Sequence, residues 1–147
     1  MKTTRLLFPF SHDIDANAIE HAVHLAKQHN ATLVPVSLIR VPEKQKMKAV
    51  RLEIMQQSRD FLEAVSHKAS KFQVPVEQVE VLTSDVEQSV GTLTKKLSCD
   101  GVLLFIKGKD GILLDSNDIQ RIVERADSKF YVFHIEAKGS TNVHLRQ

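Results

Sequence analysis

Apolar residues in this chain come in short unbroken runs, separated by longer stretches where they recur at helical spacing. The first run, RLLFPF at 5–10, predicts a buried strand, because a strand apolar on both faces must be covered on both. Asp13, Asp15 or Asn17 can cap the segment that follows, since a short oxygen-bearing side chain accepts bonds from free first-turn amides. Ala18, Ile19, Ala22, Val23, Leu25 and Ala26 then fall on one face of a helix. Asn30 stops it, and a second apolar strand runs over 32–39.

Pro42 suits the first position of a helix, where its missing N–H costs nothing. Met47, Val50, Ile54, Phe61, Val65, Ala69 and Phe72 recur at helical steps without a proline or glycine between them, which predicts one long helix over 43–73. Pro75 ends it. A third strand follows at 76–84, and a helix at 85–99 has Ser84 or Asp85 as its cap. The fourth strand is GVLLFI at 101–106; a last helix occupies 117–126, with Ser116 and Asn117 as caps, and a last strand, KFYVFHIE, 129–136. The tail from 137 to 147 has no period and reads as a flexible extension of a domain spanning 1–136.

Strands apolar on both faces and separated by helices imply a single α/β domain, a five-stranded parallel sheet with helices on both faces. Such sheets bind ligands outside the carboxyl ends of the strands, where the strand order reverses. That directs attention to FPFSHDID after the first strand, LIRVPE after the second and FIKGKDG after the fourth.

Composition narrows the functions. At 147 residues, 42% hydrophobic and 26% charged, the chain suits one ordinary globular domain. No apolar run approaches the ~20 residues a membrane span requires, so no membrane insertion is expected. The first fifteen residues lack the cleavage pattern of a signal peptide. A single cysteine, Cys99, excludes an internal disulfide framework and fits a reducing, cytoplasmic setting. The net charge of +2 and a lysine cluster without interleaved aromatics argue against nucleic acid. His21 and His24 lie three apart, but no further ligand is fixed by spacing, so no metal is expected.

With its strands placed, the chain resembles the universal stress protein family over nearly its whole length. The likeness lies in RLLFPFSHDIDANAIEHAVHLAKQHNATLVPVSLI, in the strand after Asp100, and in RIVERADSKFYVF near the end. The resemblance implies an adenine-nucleotide alpha-hydrolase-like fold, usually dimerised. Members that bind ATP carry an acidic residue after the first strand and a G-x-x-G-x9-G-S/T loop after the fourth. Glycines let backbone amides approach phosphate oxygens, and the last pair lies at a helix N-terminus that attracts anions.

Here the motif is altered. Alignment from Asp100 puts Phe105 on the first glycine and Gly108 on the second. Alignment from Arg121 puts Ser116 and Asn117 on the terminal pair, with two residues too few between. A shifted register makes Gly108 and Gly111 the first pair and shortens the spacer further. The acidic position falls on Ser11, with Asp13 nearby, and Leu38 falls where members offer backbone groups to adenine. Asp110, Asp115 and Asp118 would repel a triphosphate.

The candidate cleft is therefore Ser11, Asp13, Leu38, Gly108, Gly111, Ser116 and Asn117, with ATP disfavoured and no cofactor expected. No nucleophile, base and oxyanion donor can be assembled, so the expectation is a non-catalytic protein acting through dimerisation and a protein partner in stress response or regulation. The alternatives are a nucleotide sensor using a relaxed cleft, and a regulatory domain for a membrane transporter. Two surfaces stand out. Lys44, Lys46, Lys48 and Arg51 form a basic stripe on the long helix. Phe130, Tyr131, Val132, Phe133 and Ile135 form an apolar final strand, which would be an exposed sheet edge and a dimer interface unless the tail folds back over it.

Overall fold

The computed structural model describes residues 3–41, 52–125 and 129–135, and the backbone of 141–146. Five strands are parallel: β1 (Arg5–Phe10), β2 (Thr32–Arg40), β3 (Val79–Thr83), β4 (Gly101–Lys107) and β6 (Phe130–Ile135). Two further strands are antiparallel, β5 (Asp110–Ile112) on β4 and β7 (Thr141–Arg146) on β6. The sheet order is β3-β2-β1-β4-β6-β7, so the chain goes one way from β1 to β2 and the other way from β1 to β4. The carboxyl ends of β1 and β4 are the reversal point.

The period-two alternation of the strands sorts the core into two layers. Leu6, Phe8 and Phe10 of β1 join Leu103 and Phe105 of β4 on one face, under α1 (Ala16–Gln28) and α2 (Leu52–Lys71). Leu7 joins Val34, Val102 and Leu104 on the other, under α3 (Val86–Lys96) and α4 (Ser116–Arg125). Phe105 and Phe133 stack at 5.0 Å, and Phe8 meets Phe105 edge-on at 5.5 Å. Helix α1 starts where Asp15 accepts the Ala18 amide at 2.9 Å, and α3 where Asp85 accepts that of Gln88 at 3.2 Å. Both are expected caps.

Three expectations change. The long helix is seen from Leu52; Pro42, Lys44, Lys46, Met47, Lys48, Val50 and Arg51 lie outside the described residues. Ile54, expected inward, is 37% exposed. The buried stripe of α2 begins one turn later at Ser58, whose hydroxyl bonds Ser37 at 2.6 Å and also Glu80. The tail is not loose throughout, because β7 pairs with β6 from Ile135↔Thr141 to Phe130↔Arg146. The final apolar strand is consequently not the sheet edge. Its Phe130, Phe133 and Ile135 are buried, while Tyr131 and Val132 are half-buried. An antiparallel neighbour from the same chain satisfies the N–H and C=O groups that an edge would leave open.

Candidate functional site

The reversal point is filled by the protein's own chain. After β4 a hairpin turns at Gly108 and Lys109, pairing Lys107 with Asp110 and Phe105 with Ile112. Gly108 has φ +62, the left-handed backbone a two-residue hairpin loop asks of its first residue, and a Cβ there would meet nothing within 4 Å. Gly111 is needed for a different reason. A Cβ on it would lie 2.1 Å from the Leu114 carbonyl oxygen and 2.9 Å from Ile119 Cδ1. Close backbone approach is thus used, but what approaches is the chain itself.

Leu113 and Leu114 follow, both 1% exposed, one packed into each core layer. Leu113 holds φ +73, unfavourable for a branched side chain. Burying two leucines stabilises by roughly 1.5–3 kcal/mol each. That exceeds the roughly 1–2 kcal/mol cost of a left-handed residue. The turn aims the Leu113 carbonyl at the loop after β1, where it accepts the amides of Ser11 at 2.7 Å and His12 at 3.1 Å. The Ser11 hydroxyl reaches the same oxygen at 3.3 Å. Both N–H groups at the end of β1 are thereby satisfied within the chain.

The other candidates separate. Asp13 is exposed at φ 58, and among the described residues its carboxylate meets the neighbouring His12 ring, at 3.3 Å. Leu38 is buried and lies opposite Val81 in the β2–β3 ladder; the strand continues past it to Arg40. Ser116 and Asn117 do not cap α4. Asp115 does, accepting the Asp118 amide at 2.8 Å, while the Ser116 hydroxyl accepts the Gly111 amide and donates to the Lys109 carbonyl, each at 3.0 Å. An earlier cap lets Ser116 tie the hairpin to the helix. Phe105, which falls on the family pattern's first glycine, is part of the sheet core, as expected of the fourth strand. Ser11, Gly111 and Ser116 thus converge on one segment, and Asp13, Leu38 and Gly108 do not.

Sequence reasoning missed Arg40. Its guanidinium, at the end of β2, donates to Asp118 Oδ1 at 3.0 Å and lies 3.5 Å from Asp115 Oδ2. The signal was there, a lone cation closing the apolar run VPVSLI in a loop flagged for its position. Two of the three acids expected to repel phosphate are therefore paired; Asp110 stays exposed on the hairpin. Asp118 is buried and burial pushes its carboxyl above the usual range, Arg40 opposing and Asp115 adding to the rise. An open cavity of about 540 Å³ lies beside this pair, with Arg121, Asn117, Gln120 and Glu124 in its lining. Among the described residues no three metal-ligating side chains converge. Cys99 is half-buried, which pushes its thiol up rather than activating it.

A mostly parallel sheet with helices on both faces defines a doubly wound α/β protein, here with the reversal point of its strand order occupied by its own chain. The universal stress protein family model matches residues 2–134, and the chain belongs to that family. No curated protein matches it. Among solved structures, the universal stress protein from Archaeoglobus fulgidus superposes with a TM-score of 0.69 at 9% identity, covering 88% of this chain and 92% of that one. The same organism's protein in complex with dAMP gives 0.64 at 9% identity, with 89% and 97% covered. A family member from Burkholderia pseudomallei gives 0.65 at 14% identity, with 86% and 93% covered. At such identities the likeness is one of fold.

Proposed function

We propose that this chain is a non-catalytic universal stress protein that has given up tight nucleotide binding and acts through contacts with a second copy of itself and with a protein partner. The observation that carries this reading is the Leu113 carbonyl on the Ser11 and His12 amides, with Leu113 and Leu114 buried behind it. A nucleotide would have to break those bonds and expel two leucines before gaining a contact. Regulation or stress response in the cytoplasm is the setting that family membership and one unpaired cysteine favour. Among the described residues no helix is long and apolar enough to cross a membrane.

The second reading, a nucleotide sensor, draws on the dAMP-bound relative and on Arg40 and Arg121 beside the cavity. Three carboxylates, Asp115, Asp118 and Glu124, line the same space and outnumber the two cations. An anionic ligand is disfavoured there. Calorimetric titration with Mg-ATP and with dAMP tests the choice. The expected result is no saturable heat up to about 1 mM ligand, an affinity weaker than about 4 kcal/mol. A low-micromolar dissociation constant for either ligand would establish the sensor instead.

A further inference from the structure

The segment that fills the crevice is held at its far end by charge. Asp115 caps α4 and Asp118 follows three residues later, so the two carboxylates share the first turn. Like charges so placed repel, and one of them is out of water: the Asp118 side chain is 3% exposed. Its Oδ2 is buried with no hydrogen-bond partner among the described residues. Among the described residues Arg40 alone bridges the pair, offering one end of its planar fork to each acid, and it does so from another element, the end of β2. The rest of α4 is anchored elsewhere. Arg125 pairs with Glu87 of α3 at 3.0 Å, and Arg121 with Asp85 and Glu87 at 3.5 Å each.

We propose that Arg40 is a clasp: its ion pairs with Asp115 and Asp118 hold the first turn of α4, and with it the Leu113–Leu114 plug, shut over the ends of β1 and β4. The filled crevice is then one of two states of the molecule, and the clasp suppresses the open one. Removing the cation leaves the buried carboxylate with the charge of Arg121 but without its hydrogen-bonded ion pair, which is destabilising. The relief available is local. The first turn lifts, Asp118 reaches water, and the plug withdraws while Arg121 and Arg125 keep the remainder of α4 on α3. This rests on the reading of the crevice as internally filled, and concerns the filling itself rather than any ligand.

Amide hydrogen exchange in the full chain tests it, because Ser11 and His12 give their amides to Leu113 and report withdrawal of the plug directly. Arg40→Met is expected to speed exchange at these two amides by at least about tenfold, with Leu7 and Phe8 in the same strand unchanged. Adding Asp118→Asn should return both rates to near wild type, since a neutral amide needs no counter-charge. Arg40→Lys, which keeps the charge but not the fork, should give an intermediate rise. Wild-type rates at Ser11 and His12 in Arg40→Met overturn the clasp, as does a uniform rise along β1 that Asp118→Asn fails to reverse. If Arg40→Met does not fold, the lysine variant is read at the same amides, and wild-type rates there overturn it equally. Tight ATP binding by the wild-type chain would sink the functional reading and leave these rates to decide the clasp.

Discussion

Asp118 is the residue where burial and charge conflict most directly. Burial raises its carboxyl above the usual range, Arg40 lowers it, and Asp115 raises it again, with a net rise. A carboxyl that holds its proton more tightly when folded contributes stability that is complete below its unfolded value of about 3.9. That contribution is lost as the pH rises through the folded value. Asp118→Asn removes the titration. The variant's unfolding midpoint, taken relative to wild type, should therefore fall as the pH is lowered from about 7 to about 4. Paired thermal melts across that range are the check, and a difference independent of pH would remove Asp118 from the account. The sequence named Asp118 as an acid near a helix start. Its burial follows from packing beneath Arg40, which residue spacing alone does not encode.

At the scale of elements, two antiparallel additions decide what the parallel sheet can do. The β4–β5 hairpin uses Gly108 for a turn and Gly111 for a close approach of the chain to itself. Strand β7 closes the side of β6 that would otherwise be an edge. Both depend on pairing between segments with weak signals of their own. DGI is too short to show a period, and TNVHLR alternates only over six residues. Ending the chain after Ile135 should uncover β6. Edge strands this apolar pair with other chains. The shortened protein is expected to self-associate at lower concentration than the full chain in light scattering; equal behaviour would mean that β7 does not guard the edge in solution.

For the whole molecule, the question is how a protein with a closed crevice acts. The proposed answer is through its surface, first of all by self-association. With β6 covered within one protomer, a two-fold contact must form elsewhere: on the outer side of β7, at the opposite edge on β3, or away from the sheet edges. A two-fold pairing of identical surfaces closes at two copies. Sedimentation of the full chain at tens of micromolar should therefore give a dimer, as an order-of-magnitude expectation for a closed isologous contact. A monomer at that concentration would leave partner proteins as the remaining route.

The order of the five parallel strands and four helices, the two-layered core and the family were legible in the sequence. Each follows from local periodicity: Leu6, Phe8 and Phe10 alternate with Leu7 in any setting, and α1 has its buried face whatever lies beneath it. The altered glycine motif was legible too, since Phe105 stands where the family pattern has glycine. What replaced the motif was not. That Leu113 turns left-handed to take the Ser11 and His12 amides and that Arg40 spans Asp115 and Asp118 are contacts between residues up to 102 positions apart. Such contacts exist only once the sheet has brought the ends of β1, β2 and β4 together, because long-range pairing is fixed by the assembled fold and not by neighbours in the chain.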